Sequence, residues 1–323
     1  MSEKLNNGAL CISLDFEKYW GLHDLQDIRE NVNDLAKVSA IVQRLLDMFQ
    51  KYDIHCTWAT VGLLNFDQLS TLQQEHSDLN IPYQNQRYSP FPIEKHQLDS
   101  VESNLFLGQD DIQKIKTADH QELASHTFSH YYCLEKGQTL SDFKKDLDNF
   151  ENAINQKVLS IVFPRNQVKK EYLKLCYEYG VRTYRGNQEN HFWKNSDFES
   201  ESIFKKIGRT ADAYLKLTSD NFVNWKDLQT ESGLINIPAS RFLKPYHFPK
   251  MVEQLKIKRI KAQMTRAAKS KKIFHLWWHP HNFSKHTDHN FKQLEIILNH
   301  FKSLQNDYQF ESLNMSEIYQ QIV

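Results

Sequence analysis

The stretch Glu122-Leu-Ala-Ser-His-Thr-Phe-Ser-His130 places two histidines, His126 and His130, directly after a short apolar run. The apolar run predicts a buried strand, and the four-residue spacing would put both imidazoles on one face of a helical turn. Two imidazoles that face one point can bind a divalent metal ion, which needs at least one further protein ligand and an open position. Because the chain contains 15 histidines, the pair could also arise by chance. The metal hypothesis therefore depends on a carboxylate supplied by another segment.

Composition and length are typical of a globular chain. The 323 residues are 40% hydrophobic and 25% charged, and the formal net charge is zero. This length allows one large α/β domain or two smaller ones. The balanced charge gives no indication of nucleic-acid binding. Four scattered cysteines, with neither a signal peptide nor a long apolar span, predict a cytoplasmic protein with reduced thiols.

Apolar runs alternate with segments of helical periodicity along the chain. Strands are predicted over 9–14, 54–61, 122–125, 158–163, 181–184, 234–238, 273–278 and 310–313. Helices are predicted over 33–52, 110–117, 140–154, 171–179, 250–272, 290–303 and 315–322. This alternation favours a parallel sheet with right-handed crossovers. We expect one domain over residues 1–323, a barrel of about seven strand–helix units, with insertions near 65–107 and 190–230.

Acidic and imidazole side chains follow two other predicted strands. Asp15 and Glu17 come after the strand over 9–14, and His279 comes after the strand over 273–278. Parallel α/β folds gather functional side chains where strands end, so these residues could meet the histidine pair. Taken alone, the two carboxylates could equally form a solvated turn, and His279 could be a core side chain held by a backbone carbonyl.

The segment 250–272 is strongly basic. It carries nine Lys or Arg residues against a single acid, Glu253. Such a pattern is typical of a solvated helix face, which is the more common case. It is also typical of a patch that contacts phosphates or the head groups of an anionic membrane. The second interpretation would place the protein at the inner membrane face.

Four segments, in chain order, resemble the motifs of the polysaccharide deacetylases, the carbohydrate esterases of the NodB-homology type. These segments are 14–17, 125–130, 163–167 and 276–280. The resemblance implies an α/β fold, an irregular and TIM-like (β/α)7 barrel with inserted loops. It also implies a carbohydrate substrate and a divalent metal cofactor, for which Zn²⁺ is the expected ion. The resemblance spans most of the barrel and omits the two insertions.

The motifs also imply roles for individual residues. By this resemblance, Glu17, His126 and His130 bind the metal, Asp15 is the catalytic base and His279 is the general acid. The usual first motif has two adjacent aspartates, whereas here a phenylalanine separates an aspartate from a glutamate. The roles of Asp15 and Glu17 could therefore be exchanged.

Other assignments follow from the residues that flank the motifs. The third motif departs from the usual Arg-Pro-Pro-Tyr order, and Arg165 is assigned as the partner that orients Asp15. His281 could orient or replace His279 as the acid. Substrate contacts are assigned to Trp20, Tyr131, Trp277, Trp278 and Arg241. The four aromatic side chains could equally belong to the core, and of Trp277 and Trp278 we expect one to pack inward and one to face the cleft.

The reaction implied by the resemblance is hydrolytic removal of an acetyl group, with N-acetyl as the expected group, from a sugar unit of a surface glycan or its precursor. The metal would activate a water molecule, a carboxylate would accept its proton, and a histidine would protonate the leaving amine. Two other functions stay open. One is hydrolysis of a cyclic amide, as in allantoinase-like relatives of the same fold, and the other is glycan binding without catalysis.

Overall fold

The sheet of this protein is parallel throughout its named strands. The structure is a computed structural model that describes residues 7–187, 203–215, 218–228 and 232–323. The strands in these ranges are β1 (Ala9–Phe16), β2 (Cys56–Thr60), β3 (Gln121–Ser125), β4 (Ser160–Ile161), β5 (Thr183–Tyr184), β6 (Ile235–Asn236), β7 (Arg241–Phe242), β8 (Ile273–Trp278) and β9 (Glu311–Ser312). The α/β class predicted from the alternating pattern is confirmed.

Connectivity curls this sheet into a barrel-like shape. The strand order is β6-β5-β4-β3-β2-β1-β8-β7, and β9 pairs with the start of β1. The two edge strands, β6 and β7, are separated by only residues 237–240. A connection of that length bridges less than about 20 Å, so the two edges must lie near each other. Ser240 also ties this connection to β8, because its backbone N–H donates to the carbonyl of His275 at 2.8 Å.

Helices pack around the outside of the sheet. They are α1 (Val32–Leu35), α2 (Val38–Tyr52), α3 (Leu69–His76), α4 (Gln109–Thr117), α5 (Leu140–Ile154), α6 (Lys170–Glu178), α7 (Ile203–Tyr214), α8 (Lys250–Lys269), α9 (Thr287–Tyr308) and α10 (Met315–Ile322). Helix α5 has the predicted bounds, and it is capped by Thr139, whose side chain accepts a hydrogen bond from the backbone N–H of Asp142. Within the described ranges, no helix has the length and apolarity needed to cross a bilayer.

Strand β1 shows why Asp15 faces the interior of the barrel. All eight of its residues are buried. Leu10, Ile12, Leu14 and Phe16 belong to the large core, whereas Ala9 and Cys11 belong to a smaller cluster. Because side chains alternate between the two faces of a strand, Asp15 continues the series that begins with Ala9 and Cys11.

Several predicted boundaries differ from the observed ones. Helix 33–52 is interrupted at residues 36–37, and the long α2 begins only at Val38. Strands 158–163, 181–184 and 234–238 shorten to two residues each, because most of each apolar run is buried without forming a ladder. Strand β7 was not predicted, since two paired residues leave no periodic signal.

The two predicted insertions have structure of their own. The segment 65–107 contains α3 and four short 3-10 turns, and it packs on the barrel, where the carbonyl of Phe106 accepts a hydrogen bond from the Trp20 indole at 2.8 Å. The predicted insertion near 190–230 contains α7, which its weak periodicity did not indicate. Residues 188–202, 216–217 and 229–231 lie outside the described residues.

A buried histidine beneath the site should make folding stability depend on pH. Nδ1 of His275 lies 3.0 Å from the carbonyl of Ile237, and Nε2 lies 2.8 Å from Oγ of Ser13. Burial lowers the pKa of His275 from 6.5 to about 3. Because the folded pKa is depressed, the stabilisation is present above pH 6.5 and is lost as pH falls toward 3. We expect this residue to remove on the order of 2 kcal/mol from the unfolding free energy between pH 7 and pH 5.

Urea denaturation at the two pH values measures this effect. The variant His275→Asn should show a weaker pH dependence than the parent, even though it starts less stable. The exposed His286 provides a matched control, and His286→Asn should keep the parental dependence. An identical pH dependence in the parent and in His275→Asn would contradict the assignment.

Candidate metal centre

The three predicted metal ligands meet at the carboxyl ends of the strands. Oε2 of Glu17 lies 3.2 Å from Nε2 of His126 and 3.1 Å from Nε2 of His130. All three residues are buried. Glu17 follows β1 and both histidines follow β3, and each of these strands pairs with β2. The parallel register therefore brings together residues that are more than a hundred positions apart in the chain.

The hydrogen bonds of the two imidazoles indicate their tautomers. Nδ1 of His126 lies 2.8 Å from the carbonyl oxygen of Val162, which can only accept, so this nitrogen carries the proton. Nδ1 of His130 lies 3.1 Å from the Tyr132 hydroxyl, which donates in turn to Oδ1 of Asp24 at 3.2 Å. In both rings, Nε2 is left with a lone pair directed at the Glu17 carboxylate.

This donor set fits a divalent cation. Two imidazole lone pairs and a carboxylate oxygen repel one another at 3.1–3.2 Å unless a proton or a cation lies between them. Burial lowers the pKa of His130 to about 4, so its ring is neutral near pH 7. Burial opposes ionisation of Glu17, but His279, His126 and His130 hold its pKa well below the usual value. Tetrahedral zinc bonds of 2.0–2.1 Å would place such ligand atoms about 3.3 Å apart.

The predicted helical turn between the histidines is wrong, because the segment is a loop. The backbone is left-handed at Thr127 (φ 64°) and at His130 (φ 57°). The carboxylate of Asp146, on α5, accepts hydrogen bonds from the backbone N–H groups of Phe128 at 2.7 Å and Ser129 at 3.0 Å. The two rings thus converge because a buried carboxylate holds the loop, and helical periodicity plays no part.

Removing that carboxylate should destabilise the protein. Asp146→Ala would leave two buried N–H groups without an acceptor, and we expect a loss of about 3 kcal/mol in the unfolding free energy. Asp142→Ala, on the same helix, is the matched control, because it removes only an exposed capping interaction worth about 1 kcal/mol. Denaturant titration measures both values. Equal losses in the two variants would show that Asp146 does not hold the loop.

Asp15 is paired with Arg185, a residue that was not predicted to belong to the site. Nη1 and Nη2 of Arg185 donate to the two carboxylate oxygens at 2.7 and 2.8 Å. Nη1 also donates to Oγ of Ser13 at 3.0 Å, and the guanidinium carbon lies 4.1 Å from the centre of a Trp277 ring. Burial opposes ionisation of Asp15, but the charge of Arg185 keeps its pKa below the ordinary value.

The assignment of Arg165 as the partner of Asp15 is wrong. Arg165 forms an ion pair with Asp24, and its guanidinium lies 4.3 Å from the centre of the Tyr132 ring. It therefore supports His130 through Asp24 and Tyr132. Arg185 could have been predicted from the sequence. It directly follows the predicted strand over 181–184, just as Asp15 and His279 directly follow their predicted strands.

Two further imidazoles face the carboxylates. Nε2 of His279 lies 3.7 Å from Oδ2 of Asp15 and 3.6 Å from Oε1 of Glu17. Its Nδ1 lies 3.0 Å from Oδ1 of Asn282, which fixes the ring, and the side chain is 21% exposed. Nδ1 of His281 lies 3.9 Å from Oε1 of Glu17 and has no hydrogen-bond partner among the described residues. Burial lowers the pKa of His281 to about 4.

Three of the predicted substrate contacts are wrong, because their side chains are buried in the core. The hydroxyl of Tyr131 donates to Oε1 of Gln138 at 2.9 Å. Trp278 stacks on Phe283 with ring centres 5.8 Å apart. Trp20, already described in contact with the 65–107 segment, completes this group.

The other two residues predicted to contact substrate also pack against side chains of this protein. Arg241 is buried and donates to Oδ2 of Asp212 at 2.8 Å, so its assignment to substrate binding is wrong. Trp277 is only 5% exposed, which is too little for an open stacking surface. It borders the site by packing against Arg185 and, with ring centres 5.6 Å apart, against His279.

A second group of metal-ligand side chains lies at the opposite ends of the strands. Asp53 and His55 precede β2, and His120 precedes β3. The two imidazoles are stacked, with ring centres 3.9 Å apart and planes within 4°. Their lone pairs therefore lie in nearly parallel planes about 3.9 Å apart and do not converge on one point. We place the candidate metal centre at Glu17, His126 and His130.

Solved structures with the same fold carry different activities. A protein from Mycobacterium smegmatis assigned as a polysaccharide deacetylase is 12% identical, with a TM-score of 0.61, and the match covers 100% of this chain and 92% of that one. The Puue allantoinase is 10% identical, with a TM-score of 0.54 and coverage of 98% and 91%. A GH57-type branching enzyme from Pyrococcus horikoshii is 9% identical, with a TM-score of 0.54 and coverage of 98% and 70%. At these identities the likeness shows the (β/α)7 barrel fold alone.

Sequence comparison points to one family. No curated protein sequence matches the chain. The family model described as polysaccharide deacetylase matches residues 27–184, a range that contains His126 and His130 but neither Asp15 nor His279. Residues 27–184 therefore form a polysaccharide deacetylase domain.

Proposed function

We propose that this protein is a metal-dependent hydrolase that removes an acetyl group, in the first place N-acetyl, from a sugar unit of a surface glycan or its precursor. The family implies a carbohydrate substrate and hydrolysis of a carbon–nitrogen bond. The observation that carries the proposal is the convergence of Glu17, His126 and His130, whose three lone-pair atoms face one point beside Asp15 and His279.

The side chains of the site have complementary tasks in such a hydrolysis. A divalent cation bound by Glu17, His126 and His130 would polarise the acetyl carbonyl and acidify a water molecule. Asp15, kept ionised by Arg185, accepts the proton of the attacking water. The two-point contact with Arg185 fixes the orientation of this base.

His279 supplies the proton that the leaving amine requires. Its Nδ1 is held by Asn282, so Nε2 faces the carboxylates and can reach a group bound between them. Protonation matters because an amide nitrogen leaves poorly as an anion. His281 lies on the same turn, but burial lowers its pKa to about 4, so its ring is neutral near pH 7 and the acid role is given to His279.

Acetate release tests the proposal directly. Purified protein with added Zn²⁺ should release acetate from oligomers of N-acetylglucosamine, and a chelator should stop the reaction until metal is restored. An O-acetylated glycan and allantoin serve as parallel substrates. Turnover of allantoin alone would support the cyclic-amide hydrolase, and metal retention with glycan binding but no turnover would support the non-catalytic alternative.

A further inference from the structure

A groove between α8 and α9 lies outside the metal centre. It has a volume of about 570 Å³, a size typical of small-molecule sites, and its lining is mostly apolar. Ile257 of α8, Ile296 of α9 and the ring of Tyr246 form its apolar walls. Four lysines line it as well, namely Lys250, Lys258, Lys261 and Lys292. Their aliphatic stems add apolar surface while the ammonium groups stay near water.

The structure divides the basic segment 250–272 into two faces. Lys256 turns inward and pairs with Glu253 at 2.6 Å, and Arg259 pairs with Asp212 at 2.9 Å. These two cations are buried and serve the internal packing. Lys250 and Lys258 are exposed on the side of the groove. The basic run in the sequence therefore contains two kinds of residue, cations paired inside the protein and lysines exposed along the groove.

The charge of the groove is positive. Among the described residues that line it, Glu253 is the single acid, and its carboxylate is bound by Lys256 and accepts a hydrogen bond from Gln293 at 2.9 Å. Two acids of the neighbouring α9 point elsewhere. Asp288 is paired with Arg44 and Glu295 with Lys51, both on α2.

Apolar side chains are exposed beside these lysines. Ile296 is 48% exposed, Met251 is 81% exposed and Leu255 is 48% exposed. Met251 and Leu255 are four residues apart and therefore share one face of α8. Lysines next to exposed apolar residues are typical of helices that contact the interface of an anionic membrane.

We propose that this groove binds an anionic amphiphile, with the alkyl chain on the apolar walls and a phosphate or carboxylate head on the lysine edge. Tyr246 also lines a second pocket, which reaches His281 beside the metal centre. Tyr246 therefore borders both the groove and the pocket beside the centre, which would suit a lipid-linked glycan whose lipid lies in the groove and whose sugar reaches the centre. This last step rests on the proposed function, whereas the binding itself does not.

Calorimetry with dodecyl phosphate, below its micelle concentration, tests the binding. Dodecyl maltoside tests the alkyl chain without the charge, and inorganic phosphate tests the charge without the chain. We expect both to bind at least tenfold more weakly than dodecyl phosphate. Equal affinity for the neutral detergent would overturn the role of the lysines, and equal affinity for inorganic phosphate would overturn the role of the groove.

Two double variants with the same change in charge distinguish binding in the groove from general electrostatic attraction to the protein. Lys258→Glu/Lys261→Glu should weaken dodecyl phosphate binding at least tenfold, whereas Lys269→Glu/Lys271→Glu, exposed beyond the groove lining, should not. Equal losses in the two variants would overturn the proposal. Both should keep the melting temperature and the acetate release from soluble oligomers. Because binding is measured without turnover, absence of deacetylase activity leaves this test intact.

Discussion

Asp15→Asn is expected to lower acetate release by about 10²- to 10⁴-fold without loss of metal binding, because the variant loses only the proposed base. The carboxamide has nearly the shape of the carboxylate and can still accept a hydrogen bond from Arg185, yet it cannot take a proton from water. Rate measurements with N-acetylglucosamine oligomers, combined with metal analysis of the same samples, test this directly.

The same experiment decides between the two assignments of the acidic pair. Oδ2 of Asp15 lies 3.7 Å from His279, whereas Oε2 of Glu17 is the oxygen that faces His126 and His130. If Asp15→Asn lost the metal and Glu17→Gln kept it, the roles of the two carboxylates would be exchanged. An Asp15→Asn variant with both full activity and bound metal would remove Asp15 from the reaction.

Fully buried strands could be predicted from the sequence because they are continuous apolar runs. Strand β8 matches its prediction, and β1 extends two residues beyond it, since each has helices or barrel interior on both faces. The two-residue strands β4 to β7 could not be delimited, because burial continues beyond the paired residues. In this part of the sheet, an apolar residue can be buried without forming a hydrogen bond to a neighbouring strand, so the apolar run does not mark the ends of the strand.

Site residues could be predicted where the order of the strands alone brings them together. They could not be predicted where the direction of a side chain decides which partner it contacts. Glu17, His126 and His130 follow strands that both pair with β2, so their meeting depends on topology. The choice between Arg165 and Arg185 depends on local direction. Both follow strands, but Arg165 has a left-handed backbone (φ 52°) and turns toward Asp24.

Aromatic residues gave the poorest functional predictions. Trp20 and Tyr131 flank the motifs in sequence, yet both are fully buried with hydrogen-bonded polar atoms. Large amphipathic rings satisfy a core as well as a sugar-binding cleft, and sequence position alone does not separate these roles. Charged residues show the same difficulty. Lys256 belongs to a basic run, yet it pairs with Glu253 inside the protein, and the sequence alone does not distinguish it from the exposed lysines.

Glu17→Gln is expected to abolish stoichiometric metal retention. The change replaces the carboxylate of the proposed centre with a neutral carboxamide, and Zn²⁺ would then be held by two imidazoles. Metal content after dialysis, and competition with a chromophoric chelator, measure the loss. A Glu17→Gln protein that keeps one equivalent of zinc would contradict the proposed centre.

Removing the hydroxyl of Tyr132 should weaken metal binding without abolishing it. This hydroxyl lies between Nδ1 of His130 and the carboxylate of Asp24, and so fixes the orientation and tautomer of a metal ligand. Loss of such outer partners typically weakens metal binding by about 10- to 100-fold, which is the effect expected for Tyr132→Phe. Tyr131→Phe is the matched control, because its hydroxyl contacts Gln138 and should leave the affinity unchanged. Equal affinities in the two phenylalanine variants would show that the Tyr132 hydroxyl does not orient His130 for metal binding.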